Sequence, residues 1–116
     1  MTDITIYHNP RCSKSRQTLA LIEEKGIKPE IKLYLTDVPS KQELGSLLTM
    51  LGIEARALLR KGEDAYKEKD LKDTSLGDDA LIEAMIDAPK LIERPIVVKG
   101  NKAVLGRPPE NVLELL

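Results

Sequence analysis

Two short apolar runs, Ile96 to Lys99 and Lys102 to Leu105, stand on either side of the dipeptide Gly100-Asn101. A two-residue connection of that composition sends the chain straight back on itself, so the runs must pair as antiparallel strands of a tight hairpin. The N-terminal third demands a different connection. Ile4, Ile6 and His8 alternate with Thr5 and Tyr7 until Asn9-Pro10 interrupts them, the pattern of a short strand. From Ser13 to Lys25 no proline or glycine intervenes, Leu19 and Ile22 share a helical face, and Gly26 stands where a helix would end. Glu30 to Leu35 alternates again, with Ile31, Leu33 and Leu35 in step, before Thr36-Asp37-Val38-Pro39 breaks the run.

Strand, helix, strand followed later by a hairpin predicts an α/β protein. The expected architecture is a mixed four-stranded sheet flanked by helices, on a thioredoxin-like plan with a helical insert between the βαβ unit and the hairpin. In the insert, Ser40 and Glu43 have capping-box spacing, and Leu44, Leu47, Leu48 and Leu51 form one stripe that Gly52 terminates. The stretches ARALLRK and DAYKEKDL read as short helices joined at Gly62. Asp78 and Asp79 open a further helix with Leu81, Ile82, Met85 and Ile86 on one side, and Pro89 limits it. Pro108-Pro109 starts a last helix bearing Val112, Leu113 and Leu116. With no internal repeat and no linker, residues 1–116 are expected to form a single domain.

A chain of 116 residues can bury well over half of the surface its unfolded form exposes, so neither disulfide nor metal is required for folding. Eighteen basic against nineteen acidic residues give a formal charge of -1, which provides no field for phosphate backbones or anionic lipid. The aromatic residues are three tyrosines, too few to stack single-stranded bases. Nucleic acid and membrane are therefore not expected as partners. No apolar run approaches membrane-spanning length, and MTDITIYH enters its alternation too early to leave room for a secretory leader. A single cysteine cannot form an internal disulfide, and a reducing cytoplasm is the expected compartment.

That cysteine, Cys12, lies in HNPRCSKSR, between the first strand and the first helix and four residues after the lone histidine, His8. Free backbone N–H groups and the positive end of a helix stabilise a thiolate. Arg11, Lys14 and Arg16 add positive charge, as would a protonated His8. The spacing narrows the chemistry. Cys12-Ser13-Lys14-Ser15 is C-x-x-S, so the second thiol of a dithiol pair is missing. A C-x5-R anion cradle would need arginine at position 18, where the chain has Thr18. One cysteine and one histidine are too few soft ligands for zinc, and neither glycine-rich nucleotide motif is present. What remains is a lone nucleophile with anion ligands supplied from elsewhere. Arg94 and Arg107 bracket the hairpin, each before a proline, and Arg60 lies in the insert. A guanidinium binds tetrahedral oxyanions through two parallel hydrogen bonds and keeps its charge.

HNPRCSKSR, RALLRK followed by YKE, ERPIVV and GRPPENVLE resemble, in order and at matching spacing, the ArsC family of arsenate reductases that use glutathione and glutaredoxin. The resemblance spans essentially the whole chain. It implies that Cys12 is the nucleophile, that Arg60, Arg94 and Arg107 hold the oxyanion and its adducts, and that His8 helps ionise the thiol. It also implies structural places at the site for Ser15 and for Pro95, the latter with a cis peptide bond. No bound metal or organic cofactor is implied, and a monomer is expected. The chain ends at VLELL, where longer resistance enzymes continue with a C-terminal tail; this is similar to the short ArsC-related proteins and leaves the physiological substrate open.

The reaction implied by the resemblance is attack of Cys12 on arsenate, resolution of the adduct by glutathione, and release of the Cys12 mixed disulfide by glutaredoxin. Two other readings remain at this stage. One is an Spx-like regulator that binds RNA polymerase, although such relatives carry C-x-x-C and the three arginines favour the enzyme. The other is a thiol-transfer protein that carries glutathione on Cys12.

Overall fold

The computed structural model describes residues 4–116. Two compact units divide them: one runs up to Asp37 and resumes with Arg94–Leu116, and the other is Val38–Glu93.

The first unit contains β1 (Ile4–Tyr7), α1 (Ser13–Glu24), β2 (Glu30–Lys32), β3 (Ile96–Lys99), β4 (Lys102–Leu105) and a C-terminal 3₁₀ helix, Pro109–Glu114. Its sheet has the order β2-β1-β3-β4, with β1 parallel to β2 and antiparallel to β3, and β3 antiparallel to β4. This is the mixed four-stranded sheet expected. The hairpin turns at Gly100, whose φ of 61° fits the first central position of a type II′ turn. Ile6 pairs with Val97 and Val97 with Val104, so β-branched side chains form a row on one face. Ile4, Ile6 and Val97 pack there against Ile22 of α1 and against Val112 and Leu115 of the 3₁₀ helix. Burial of side chains of this size stabilises by about 1.5–3 kcal/mol each, which holds α1 and the 3₁₀ helix to the same face.

Two local readings in this unit change. The second strand stops at Lys32 and does not reach Leu35. The carbonyl of Leu33 instead accepts the N–H groups of Thr36 and Asp37, at 3.0 and 2.8 Å, and the resulting turn buries Tyr34. Ile31 and Leu33, in step in the alternation, remain 46% and 43% exposed. The C-terminal helix is 3₁₀, and three residues per turn bring Val112 and Leu115 inward, whereas Leu113 faces solvent. On α1 Leu19 packs against the core that contains Ile22, as their shared face implies, and Ser15 and Thr18 are buried as well.

The second unit holds α2 (Lys41–Leu51), α3 (Ala55–Leu58), α4 (Asp64–Glu68) and α5 (Asp78–Asp87). The ends of α2 are set by local chemistry. Ser40 Oγ accepts the N–H of Glu43 at 3.1 Å, and Gly52 adopts a left-handed φ of 70° while its own N–H and that of Ile53 return to the last turn. Leu44, Leu47 and Leu48 are buried, as are Leu81, Ile82 and Met85 of α5. Within ARALLRK the helix ends at Leu58, because Leu59 turns extended and pairs antiparallel with Ile92. The Arg60 N–H to Leu91 O and Glu93 N–H to Leu58 O bonds complete that ladder. Among the described residues no helix is long and apolar enough to cross a membrane.

One contact in the first unit admits no side chain. Gly106, which follows β4, is buried, and a β-carbon added there would lie 2.6 Å from Thr18 Oγ1 and 2.7 Å from Pro95 Cγ. Gly106→Ala is expected to cost about 1–3 kcal/mol through overpacking, read as a lower Tm by calorimetry. An unchanged Tm would show that Thr18 and Pro95 can yield without loss.

Candidate active site

The loop after β1 brings Cys12 to the start of α1 as its N-cap residue, in an extended conformation with φ −96° and ψ 123°. Local bonds shape that loop. Asn9 accepts twice, from the Cys12 N–H at its carbonyl and from the Arg11 N–H at Oδ1, both at 3.0 Å. The Cys12 carbonyl accepts the Arg16 N–H at 3.0 Å and so begins the helix. The first turn carries no acidic residue, and Arg16 donates from Nη1 to the Pro10 carbonyl at 2.9 Å. Cys12 is a free, half-buried thiol, and its side chain makes no capping bond to the helix. The N–H groups of the first turn have no intrahelical acceptors, so an anion bound there meets donors and the positive end of the dipole.

His8 and Ser15 form the inner support of this loop. Both are buried, His8 Nδ1 lies 2.7 Å from Ser15 Oγ, and the same Oγ accepts the N–H of Asn9 at 3.0 Å. Burial, aided by the charge of Arg16 and opposed by that of Glu23, holds the His8 pKa below its ordinary 6.5. At pH 7 this favours the neutral imidazole over the protonated one. Its bond to Ser15 links it to the Asn9 loop that leads to Cys12.

Arg107 faces the thiol. Its Nη1 is 3.9 Å from Cys12 Sγ and also donates to the Arg94 carbonyl at 3.3 Å. Arg94 itself has Nε and Nη1 removed from solvent. The Arg94–Pro95 peptide bond is cis, as expected from the family resemblance, and so is Arg107–Pro108, which was not anticipated. Cys12, Arg107 and the Arg94 backbone are thus gathered in one unit. Arg60 belongs to the other unit, where its Nη1 donates to Glu63 Oε1 at 2.7 Å and its Nε lies 3.6 Å from Glu93 Oε1. Among the described residues no cluster of three histidine, cysteine, aspartate or glutamate side chains could hold a metal ion.

Two residues important to this geometry were not singled out as site residues. Thr18 Oγ1 donates to the Lys14 carbonyl at 2.8 Å and lies 3.3 Å from the Gly106 carbonyl, tying α1 to the segment that carries Arg107. Asn111 donates from Nδ2 to the carbonyls of Leu105 and Arg107, at 3.2 and 3.3 Å. Both act by bonding to backbone far away in sequence or across a turn, for which a linear reading holds no signal. The proline pair before Asn111 marked only a helix start.

The model of the ArsC family matches residues 7–115. An arsenate reductase of Haemophilus influenzae is 50% identical over 114 residues, covering 97% of this chain and 98% of its own length. The uncharacterized protein YfgD of Escherichia coli K12 is 56% identical, covering 97% of this chain and 96% of its own. The solved structure of an arsenate reductase from Vibrio cholerae superposes with a TM-score of 0.95 at 56% identity, covering 97% of each chain. With a family match over nearly all its length and relatives of this similarity, the chain belongs to the ArsC family.

Proposed function

We propose that this chain reduces arsenate to arsenite, with Cys12 as the nucleophile and glutathione and glutaredoxin as the source of electrons in the cytoplasm. The observation that carries the reading is the Arg107 guanidinium 3.9 Å from Cys12 Sγ at the start of α1. A nucleophile is thereby paired with a permanent cation and with helix N–H groups, an arrangement suited to a tetrahedral oxyanion. Family membership and relatives named arsenate reductase support the choice of substrate.

In this mechanism the Cys12 sulfur displaces one oxygen of arsenate, which leaves as water, and a sulfur–arsenic(V) bond forms. The glutathione sulfur then attacks Cys12, giving up its proton. The sulfur–arsenic bond breaks, its electron pair stays with arsenic as arsenite, and Cys12 is left disulfide-bonded to glutathione. A glutaredoxin thiolate attacks the glutathione sulfur and releases Cys12. Arg107 and Arg94 bind the oxyanion, the role that the family resemblance also implies for Arg60. His8 is a positioning residue that fixes the Cys12 loop through Ser15.

Purified protein supplied with arsenate, glutathione and glutaredoxin should form arsenite, detected directly, and Cys12→Ser should abolish it. Undiminished turnover by the serine variant would sink the proposal, and turnover of a glutathione mixed disulfide without any arsenite would point to a thiol-transfer protein. Arg107→Ala is expected to lower kcat/KM for arsenate by about 10²–10³, mainly through a higher KM, the scale of losing a charged partner to a bound anion. Arg107→Lys should recover only part of this, because the planar fork is lost.

The His8 pKa gives a stability prediction with a definite sign. Unfolded His8 takes up a proton near pH 6.5 while the folded state resists it, so the unfolded chain binds more protons and stability falls as pH drops below about 6.5. The lowered carboxyls of Asp73 and Asp87 titrate below 3.8, outside this window. Urea midpoints measured from pH 7.5 to 5.5 should decline for the native sequence and decline less for His8→Gln. Parallel profiles would show that His8 does not control this titration.

A further inference from the structure

The three residues Leu105, Gly106 and Arg107 carry the cation that faces Cys12, and each of their carbonyls has a side-chain polar atom from elsewhere within 3.3 Å. Thr18 Oγ1 lies 3.3 Å from the Gly106 carbonyl, while Asn111 Nδ2 donates to Leu105 at 3.2 Å and to Arg107 at 3.3 Å. The Gly106 N–H completes the set by donating to the Pro95 carbonyl at 2.9 Å. Asn111 is well placed for such a task. It belongs to the 3₁₀ helix, whose Val112 and Leu115 are buried in the core, and its own N–H is bonded to the Pro108 carbonyl at 3.0 Å.

We propose that Asn111 is the positioning residue for Arg107: its amide clamps the carbonyls on both sides of Gly106 and so fixes the direction from which the guanidinium meets Cys12. Two carbonyl acceptors require two N–H donors from one side chain at this place, which an amide supplies and a carboxylate does not. The clamp orients a group that touches the substrate, and Asn111 itself touches none. The inference deepens the proposed function, because it rests on Arg107 being the oxyanion ligand.

The test compares Asn111→Ala and Asn111→Asp with Arg107→Ala and the Asn111→Ala/Arg107→Ala double variant. Asn111→Ala removes both donors without adding charge, and Asn111→Asp keeps the shape while setting a carboxylate against two carbonyl oxygens. The first readout is the ratio of Cys12 alkylation rates by iodoacetate and iodoacetamide. That ratio reports the cation held at the sulfur, because one reagent is anionic and the other neutral, and a general loosening of the fold changes both rates alike. Asn111→Ala should lower the ratio on the order of threefold or more, towards that of Arg107→Ala. In the double variant the alanine at 111 should have no further effect. The second readout is arsenate kinetics, where Asn111→Ala and Asn111→Asp should raise KM on the order of tenfold while kcat stays within about twofold, the pattern of lost binding.

A ratio unchanged in Asn111→Ala, or an effect that adds in full to that of Arg107→Ala, would overturn the proposal. Absence of arsenite formation by the native sequence would instead reject the proposed function, and the alkylation ratio would still decide the role of Asn111. Should the aspartate variant fail to fold, the alanine variant carries the test alone.

Discussion

At Gly106 the backbone lies so close to Thr18 and Pro95 that a β-carbon would meet the threonine hydroxyl at 2.6 Å and the proline ring at 2.7 Å. That approach joins three parts of the chain that are remote in sequence: the helix that begins at Cys12, the cis-proline segment that follows Arg94, and the segment that carries Arg107. Each contributes one functional group to the site. The separation of those groups is therefore set by backbone packing, which is stiff, more than by the reach of their long side chains.

The buried face of α1 shows the same economy of means. Near Cys12 it is polar, with Ser15 and Thr18, and only at Ile22 does it join the apolar core. Burying hydroxyls is costly unless each finds partners. Here Ser15 meets His8 and Asn9, and Thr18 meets Lys14 and Gly106. The polar end of the helix fixes where Cys12 sits, and the apolar end anchors the helix to the sheet. With its lowered pKa, His8 suits the first task. Its place is inside the support of the loop, and a buried positive charge there would weaken it.

Where the determinants were local, the sequence was informative. Ser40, Glu43 and Gly52 act within a few residues of one another and marked both ends of α2, and Gly100-Asn101 marked the hairpin. Cys12 stood out because strand, proline and helix signals surround it. The end of β2 was different, since Tyr34 becomes buried and the Leu33 carbonyl is taken by a turn, neither of which alternation reveals. In the last helix the apolar residues fit a period of 3.6 as well as one of 3, and only the side packed on the sheet distinguishes them. Arg107 was singled out by its place beside the hairpin and by family resemblance, but its supports were not. Thr18 reaches a carbonyl 88 positions away, a pairing that exists only once the chain has folded.

The free edge of the sheet has a consequence for how this protein behaves at high concentration. β2 is an edge strand with Ile31 and Leu33 exposed beside it, the kind of border on which another chain could add a strand and start an aggregate. Its backbone offers little to such a visitor. Pro29 has no N–H to give, the Leu33 carbonyl is already taken by Thr36 and Asp37, and Lys32 turns its carbonyl inward to His8. Ladder alternation leaves Ile31 as the one residue of the strand with both backbone groups directed outward, between the charged side chains of Glu30 and Lys32. The early turn at Leu33 that buries Tyr34 thus also blunts an otherwise adhesive border.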